Sequence, residues 1–303
     1  MLYDLIIIGG GTAGLSAALY ALRGGLKTLL LEKMVHGGQI VSSPLVENYP
    51  ALPEITGAEY AQRLLEQVNS LGLELRYEAV DGVRLMGELK EVQTAADAYQ
   101  GRTLIWAAGV VPRRLGLADE ERFIGRGVSF CATCDGALYK GKEVAVIGGG
   151  NTALEEALFL SKICAKVHLI HRRDRFSAEA MYVQRTLGTD NIQVHFKAQV
   201  EEYVGKNRLE AIKIQEAETR KELPVAAVFL AIGKIPENEL LARELSLDKE
   251  GYVLAGEDCL TDLPGVYVAG DCRTKPLRQL VTAAADGAVA ASQAIAFLRQ
   301  REV

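Results

Sequence analysis

The sequence predicts an α/β protein of two three-layer domains, the second of which is inserted into the first. Three observations predict this fold class: a strand, glycine turn, helix and strand unit occurs twice, an apolar run ending in glycine follows each copy, and each run leads into a proline. The chain has 303 residues and is 49% apolar, which suffices for two domains with separate cores.

The repeated unit predicts two dinucleotide-binding sites. Residues 4–32 align without a gap with residues 143–171, and 9 of 29 positions are identical. Each copy has the βαβ fingerprint of a Rossmann-like dinucleotide-binding domain: one glycine for a tight turn, a second where pyrophosphate approaches, and a small third residue for helix packing. These positions are Gly9, Gly11 and Gly14 in the first copy, and Gly148, Gly150 and Ala153 in the second. The alternative is a pair of glycine turns in an α/β protein that binds no nucleotide.

The residue that ends the second strand of each copy predicts which nucleotide the copy binds. Glu32 ends the first; a carboxylate there accepts hydrogen bonds from a ribose with free hydroxyls and repels a 2′-phosphate, so this site suits FAD or NAD. His171 ends the second and is followed by Arg172 and Arg173, whose planar donor groups suit a phosphate. The second site therefore suits NADPH. The alternative for residues 171–175 is a solvated basic cluster or a nucleic-acid patch.

Two later apolar runs, residues 103–109 and 226–233, read as the closing strands of the two domains. Each is followed by a proline, which cannot continue a central strand and therefore predicts a crossover between domains. The predicted boundaries give a first domain of residues 1–111 and 237–303 and a second domain of residues 112–236.

The returning segment of the first domain contains a further strand and a helix. The run 265–271 reads as a strand that delivers Asp271 to a turn. Residues 278–298 read as a long helix rich in small residues, whose N-terminus favours anionic oxygens or an electron-rich ring edge.

Two cysteines, Cys131 and Cys134, precede the second glycine turn at a spacing typical of a redox-active disulfide. The competing interpretation is half of a zinc site, which needs two further ligands. The other cysteines are scattered and predicted to be packing positions: Cys164, Cys259 and Cys272. Asp135 follows the pair as a candidate proton donor, and the alternative is a turn aspartate.

Composition argues against polyanionic partners. The net charge is -5, with 34 basic and 39 acidic residues well mixed, which gives no electrostatic reason to bind nucleic acid or anionic lipid. Residues 5–22 carry no charge, but the three glycines within them and the absence of a preceding basic segment favour strand, turn and helix over a membrane span or signal peptide. We therefore expect a cytoplasmic protein, in which a close cysteine pair is more often catalytic than structural.

Along essentially its whole length the chain resembles the low-molecular-weight thioredoxin reductases, which are class II pyridine nucleotide-disulfide oxidoreductases. The resemblance implies a flavoprotein with an FAD domain, an inserted NADPH domain carrying the redox-active disulfide, a homodimer, and thioredoxin as the protein substrate. It is carried by these segments, in the family's order: GGGTAG, GGQIVSSPLVENYP (37–50), FCATCDG, GGGNTALEEALFLS, HRRDRF, AIGKIPEN and GVYVAGDCRTKPLRQ.

The resemblance also implies roles for individual residues. Cys134 is the sulfur that meets the flavin, Cys131 attacks the substrate disulfide, and Asp135 donates the proton. Residues implied to bind FAD are Gly9, Gly11, Gly14, Glu32, Gly38, Gln39, Asn48, Gly270, Asp271, Arg278 and Gln279. Residues implied to bind NADPH are Gly148, Gly150, Asn151, Thr152, Ala153, His171, Arg172 and Arg173.

One position departs from the family pattern. Members carry a third arginine where this chain has Ser177, which affects the expected preference for NADPH over NADH. The predicted function is thioredoxin-disulfide reduction with NADPH and FAD. The alternatives are a reductase of the same architecture that uses ferredoxin or NADH as donor or a peroxiredoxin-linked or glutaredoxin-like acceptor, and a regulatory flavoprotein whose disulfide senses redox state.

Overall fold

A computed structural model describes residues 2–43, 45–46, 48–52 and 54–301. Positions 44 and 47 of the segment 37–50 lie outside the described residues. The strands are β1 (Leu2–Ile8), β2 (Thr28–Glu32), β3 (Glu74–Tyr77), β4 (Val80–Arg84), β5 (Lys90–Thr94), β6 (Ala98–Trp106), β7 (Val110–Pro112), β8 (Val128–Ser129), β9 (Glu143–Gly148), β10 (Lys166–His171), β11 (Ile192–Phe196), β12 (Ala198–Val204), β13 (Ala211–Glu216), β14 (Thr219–Pro224), β15 (Ala227–Ala231), β16 (Lys234–Pro236) and β17 (Val266–Val268).

Helices alternate with many of these strands. The α-helices are α1 (Thr12–Arg23), α2 (Gly57–Asn69), α3 (Glu120–Phe123), α4 (Ala132–Asp135), α5 (Asn151–Ser161), α6 (Ala180–Leu187) and α7 (Leu280–Arg299). Single 3₁₀ turns cover Gly38–Ser42, Gly136–Tyr139 and Glu239–Leu241.

The chain divides into two compact units. One comprises residues 1–43, 47–111 and 235–303, and the other residues 44–46 and 112–234. The division thus falls after residue 234, whereas the sequence analysis places it after residue 236. The two crossover strands, β7 and β16, pair with each other, and the Glu237 N–H donates to the Gly109 carbonyl at 3.1 Å.

The first unit is built on a sheet with strand order β3-β2-β1-β6-β5-β4, in which β17 also pairs with β6. Strands β3, β2, β1, β6 and β17 are parallel, whereas β4 and β5 form an antiparallel meander with β6. Side chains of β1 alternate between two cores: Leu5 and Ile7 pack with the helices, and Ile6 and Ile8 pack on the opposite face. Both faces are covered, as a parallel sheet requires, and this gives three layers.

The second unit repeats this plan. Its parallel sheet has the order β11-β10-β9-β15-β8, and an antiparallel meander of β12, β13 and β14 forms a separate sheet. One core lies on the meander side and contains Ile147 and Phe123; the other lies on the α5 side and contains Val146 and Leu154. The α/β fold with two three-layer units is therefore confirmed.

Close packing of α7 against α1 depends on a glycine. A Cβ atom at Gly287 would lie 2.2 Å from the Ala13 carbonyl oxygen and 2.8 Å from the Ala17 nitrogen, so only glycine fits this helix contact. The length and apolar composition of α7 would also suit a membrane span, but such composition is equally typical of a packed core helix.

Candidate active site

The first glycine turn joins β1 to α1. Gly9 has a φ of 103°, a conformation that favours glycine, and a Cβ atom there would lie 2.3 Å from the Ala107 carbonyl oxygen. At Gly14 a Cβ atom would lie 1.8 Å from the Gly9 carbonyl oxygen, so the helix packs directly on the turn. By contrast, a Cβ atom at Gly11 would meet no atom closer than 3.9 Å. The turn is thus closed at its first and third glycines and open at its second, where a pyrophosphate group fits.

Glu32 lies beside this turn, at the end of β2 as the sequence predicts. Its carboxylate accepts hydrogen bonds from the Gly10 N–H at 2.7 Å and the Met34 N–H at 2.9 Å, and the residue is buried. These bonds fix the carboxylate next to the glycine loop. It is therefore held where a ribose would meet it if a dinucleotide bound with its pyrophosphate at Gly11.

Other residues expected around a flavin come together in the same unit. The Asn48 amide donates to the Gln279 side-chain oxygen at 3.1 Å, although 231 positions separate the two residues. Gln279 is the N-cap of α7, and its N–H donates to the Thr282 hydroxyl at 3.1 Å. The Gln39 amide donates to the Val110 carbonyl, and Gly38 begins the 3₁₀ turn with a φ of 64°.

The loop that follows β17 is braced by buried charges. Asp286, on α7, accepts from the Gly270 N–H at 2.9 Å, from the Arg273 guanidinium at 2.8 and 2.9 Å, and from the Lys275 ammonium at 2.8 Å. Burial alone would raise the pKa of Asp286, but its bonds to Arg273 and Lys275 lower that pKa below its usual value. The carboxylate therefore stays ionised and ties Gly270 to α7.

Arg278 braces the same loop from the other side. Its guanidinium donates to the Asp271 carbonyl at 3.2 Å and the Arg273 carbonyl at 3.3 Å, and it stacks over the Tyr252 ring at 4.1 Å. Two residues predicted to bind the flavin, Asp271 and Arg278, are thus in contact, and Arg278 acts on the loop backbone.

The second glycine turn joins β9 to α5 and repeats the geometry of the first. A Cβ atom at Gly148 would lie 2.4 Å from the Ala231 carbonyl oxygen and 2.7 Å from the Ala153 Cβ. At Gly150 the nearest atom to an added Cβ is the Ser177 hydroxyl oxygen, at 4.0 Å. A pyrophosphate group therefore fits beside this turn as well.

His171 ends β10 and packs on the second turn. A Cβ atom at Gly149 would lie 2.2 Å from its imidazole ring, which also stacks on Phe176 with a centroid distance of 5.6 Å. Burial lowers the pKa of His171, so the ring is neutral near pH 7 and its Nε2–H donates to the Arg175 carbonyl at 3.0 Å. His171 thus fixes the conformation of the loop without adding a positive charge to it.

Positive charge at this turn comes from the neighbouring arginines. Arg172 and Arg173 are exposed, and within the described part of the chain neither guanidinium forms an ion pair. Ser177 makes two bonds to the Gly149 carbonyl, from its N–H at 2.8 Å and its hydroxyl at 3.1 Å. At the position where the family resemblance implied an arginine, this chain therefore has a residue that braces the glycine loop.

Asn151 and Thr152 begin α5 behind the second turn. The Asn151 amide donates to the Glu179 carboxylate at 2.8 Å, and the Glu179 N–H donates to the Asn151 side-chain oxygen at 2.8 Å. Thr152 is exposed in the first turn of the helix. The reciprocal bonds fix the start of α5 to the segment after the arginines.

The redox pair lies between β8 and the second glycine turn. Cys131 and Cys134 form a disulfide with a Cα–Cα distance of 5.3 Å, and both residues are half-buried. Cys131 is the N-cap of the short helix α4, and its N–H donates to the Ser129 hydroxyl at 3.2 Å. The predicted pairing is present, whereas Cys164, Cys259 and Cys272 are buried free thiols in separate places.

Asp135, the predicted proton donor, is bonded to the same serine. The Ser129 hydroxyl donates to one Asp135 oxygen at 2.6 Å, and the other oxygen, Oδ1, is buried with no hydrogen-bond partner among the residues that the structure describes. Burial raises the pKa of Asp135, and the bond from Ser129 offsets only part of this effect. A carboxyl group with a raised pKa is more often protonated near neutral pH, which suits a proton donor better than an aspartate that only stabilises a turn.

One carboxyl near the pair is absent from the sequence prediction. Glu156, on α5, accepts the Ala132 N–H at 3.4 Å, and burial raises its pKa to about 7. The sequence places Glu156 two residues after Leu154, inside the helix that follows the glycine turn. Only the fold brings that helix face against Ala132, which lies between the two cysteines and 24 positions before Glu156.

The chain is similar to known disulfide reductases. The profile of the family described as pyridine nucleotide-disulphide oxidoreductase matches residues 3–288. A thioredoxin reductase of Treponema pallidum (strain Nichols) is 39% identical over 300 residues, which cover 98% of this chain and 97% of the relative. The solved thioredoxin reductase of Streptococcus pyogenes MGAS5005 is 33% identical, with a TM-score of 0.93 and coverage of 99% of each chain. A ferredoxin-flavin thioredoxin reductase of Clostridium acetobutylicum is 29% identical, with a TM-score of 0.54 and coverage of 99% of each chain.

Proposed function

The chain belongs to the pyridine nucleotide-disulphide oxidoreductase family and is a thioredoxin-disulfide reductase, and from this premise we propose that NADPH supplies its electrons through FAD to Cys131 and Cys134. The carrying observation is that one chain holds two glycine turns with an open second position and a cysteine pair bonded beside one of them. A sensing protein that does not turn over needs only one such turn.

The two turns take different nucleotides in this proposal. Glu32 accepts hydrogen bonds from the adenosine ribose of FAD, and the open face of Gly11 takes its diphosphate. Asn48 and Gln279 orient the flavin from the start of α7. Arg172 and Arg173 hold the 2′-phosphate of NADPH, because planar guanidinium donors pair well with phosphate oxygens.

The cysteine pair passes electrons to the protein substrate. Bound FAD supplies the two-electron chemistry that connects a nicotinamide to a disulfide. After reduction, the Cys131 thiolate attacks the disulfide of thioredoxin, forms a mixed disulfide and releases one substrate sulfur as a thiolate. Cys134 then attacks the Cys131 sulfur, which restores the Cys131–Cys134 bond and releases the second substrate sulfur. Asp135 accepts the proton that an attacking thiol loses and returns a proton to a thiolate that is released.

We propose a homodimer in the cytoplasm, where reduced thioredoxin is consumed and isolated thiols such as Cys164 persist. Sedimentation of the purified protein, with and without FAD, checks the dimer.

An anaerobic titration tests the electron path. Purified yellow protein should lose its flavin absorbance with two equivalents of NADPH, because the disulfide and the flavin each take two electrons, and it should require much more NADH. The Cys134→Ser variant should still bleach but fail to reduce thioredoxin. If the flavin stays oxidised with NADPH but bleaches with reduced ferredoxin or with NADH, the electron donor is the one that bleaches it, and NADPH is not the donor. A protein that is colourless and takes up no FAD would refute it.

A further inference from the structure

Two buried carboxyl groups, not one, flank the redox turn. Asp135 lies within the turn, and Glu156 reaches it from α5. The Oε1 atom of Glu156 accepts the Ala132 N–H at 3.4 Å, whereas its Oε2 atom is buried and has no partner among the described residues. A buried carboxyl oxygen without a partner is costly when the group is ionised. Glu156 therefore occupies a place where its charge is expensive, directly behind the cysteines.

The position of Glu156 is fixed by helix packing. A Cβ atom added at Gly136 would lie 2.9 Å from the Leu160 side chain and 3.1 Å from the Phe159 ring, so α5 lies tightly against the chain just after the cysteine pair. Ala132 is fully buried in the same core as Leu154 and Leu160. The contact between Glu156 and the turn is thus part of a packed interface within one unit.

The charges around Glu156 come from three elements. Lys234, at the start of β16, attracts the carboxylate, and Glu155, on the same helix, repels it. Asp135 faces the turn from within α4. Burial is the largest influence and raises the pKa of Glu156 to about 7, with the Ala132 N–H and Lys234 as partial offsets. Glu156 is therefore divided between its two protonation states near neutral pH.

We propose that Glu156 is a positioning residue for the redox pair: it fixes the turn through the Ala132 N–H, and its charge sets the thiolate fraction of the reduced cysteines. No bond forms or breaks at Glu156. It acts on Cys131 and Cys134 through the backbone and through space.

Distance supports the electrostatic part. Because Oε1 lies 3.4 Å from the Ala132 nitrogen and this nitrogen is a few bonds from the Cys131 sulfur, the carboxyl lies within roughly 8 Å of that sulfur. At such a range in a partly buried site, one unit charge changes an ionisation equilibrium by about tenfold. The ionised carboxylate disfavours a thiolate nearby, and the neutral carboxyl does not. The thiols and Glu156 therefore titrate as a coupled group.

Two variants separate positioning from charge. Glu156→Gln keeps an oxygen that accepts the Ala132 N–H but cannot ionise, whereas Glu156→Ala removes both properties. Glu222→Gln, on the exposed strand β14 of the same unit, is the control for loss of one surface carboxylate. Circular dichroism and flavin content verify that each variant is folded.

The measurement is the rate at which iodoacetamide alkylates Cys131 and Cys134 in anaerobically reduced protein between pH 5.5 and 9, followed by mass spectrometry. The unmodified protein and Glu222→Gln should show two titration steps. Glu156→Gln should show one step and react about tenfold faster above pH 7, because the opposing charge is gone. A Glu156→Gln profile that coincides with that of the unmodified protein would overturn the electrostatic part.

Turnover with thioredoxin tests the positioning part. We expect Glu156→Ala to lower kcat at least fivefold, and Glu156→Gln to restore most of that loss at pH 6, where Glu156 is largely protonated. If Glu156→Ala turns over like the unmodified protein, the backbone contact has no positioning role. Normal flavin bleaching with NADPH in every variant would keep either failure distinct from a failure of the proposed electron path.

Discussion

At the residue scale, Ser177 shows how one side chain changes the meaning of a motif. The serine does not merely lack a guanidinium group; it donates twice to the Gly149 carbonyl and so holds the second glycine turn. Arg172 and Arg173 are left to hold a 2′-phosphate between them. We therefore expect the affinity for NADPH to exceed that for NADH by a smaller factor than a third arginine at this position would give.

A substitution at this position gives the first prediction. Compared with Ser177→Ala, which lacks the same hydroxyl bond to Gly149, Ser177→Arg should lower the KM for NADPH by about threefold to tenfold through one added charge-assisted phosphate contact, and leave the KM for NADH nearly unchanged. Ser177→Ala, which removes only the hydroxyl bond to Gly149, should raise both KM values together. Steady-state kinetics with each nucleotide check this, and equal changes for NADPH and NADH in Ser177→Arg would contradict it.

Individual residues also mark the limit of sequence reasoning. Glu32, Cys131 and Asp135 are recognisable because their chemistry coincides with a strand end or a tight spacing. Glu156 has no such mark, because it reads as one of two adjacent glutamates in an ordinary helix. Its role depends on tertiary packing against Ala132, and no local pattern predicts that contact.

At the element scale, the first and second glycines of each turn differ in whether a side chain would fit. A Cβ atom at Gly148 collides with the Ala231 backbone, but one at Gly150 meets no atom closer than the Ser177 hydroxyl oxygen at 4.0 Å. We therefore predict that Gly150→Val folds normally, retains its flavin, and binds NADPH at least tenfold more weakly, because the added methyl groups occupy the space of the pyrophosphate. Fluorescence titration with NADPH measures this.

The matched variant is Gly11→Val, at the corresponding position of the first turn. It should lose flavin during purification while NADPH affinity, measured on the remaining protein, is retained. If both variants lost the same nucleotide, the assignment of the two turns would be wrong.

The charged cluster on α7 supports a prediction about stability. Asp286→Ala would leave Arg273 and Lys275 buried without their carboxylate, and it should lower the free energy of unfolding by about 3–5 kcal/mol. Glu257→Gln removes the exposed partner of Arg273, which lies 3.5 Å away, and should cost less than about 1 kcal/mol. Urea unfolding of the holoprotein checks both; equal losses would show that burial does not control the effect.

Most elements were predictable from patterns of apolar residues and glycine. Strands β2 and β10 end at Glu32 and His171 as expected, and α7 covers Leu280–Arg299 where the sequence predicts a helix over 278–298. The meanders were not predicted, because their strands carry mixed polar and apolar residues that read equally well as loops.

At the scale of the whole molecule, stability should depend on pH through a buried histidine pair in the second unit. His168 Nδ1 lies 3.1 Å from His195 Nε2, and their outer nitrogens face Glu143 at 3.2 Å and Glu216 at 3.4 Å. Burial lowers the pKa of both histidines despite these glutamates. Because the folded-state pKa lies below that of the unfolded chain, near 6.5, stability present above about pH 6.5 is lost as the pH falls.

The raised pKa of Glu156 acts in the opposite direction in every variant, so we predict a difference between two proteins. From pH 7 to pH 5 the Tm of the double variant His168→Asn, His195→Gln should fall less, or rise more, than that of the unmodified protein, even if the variant is less stable at pH 7. Differential scanning calorimetry over this range measures both slopes. A double variant with the same slope as the unmodified protein would contradict the assignment.

The insertion of one unit into the other was also visible in the sequence, because the glycine fingerprint recurs and prolines mark the crossovers. The strand that pairs with the outer side of each closing strand was not predictable from the sequence. In the first unit the strand beyond the closing strand is β17, which comes late in the chain, whereas in the second it is β8, which precedes β9. A two-residue strand such as β8 is too short for an apolar pattern to reveal it.

This difference in strand order affects the sequence of events during translation. The second unit has all of its strands once the ribosome has passed residue 231, but the first still lacks β17 and α7, which pack on β6 and α1. Domains fold largely as units during synthesis. The nascent chain should therefore finish its inserted half first, and the flank of α1 that α7 covers stays exposed until α7 has been synthesised.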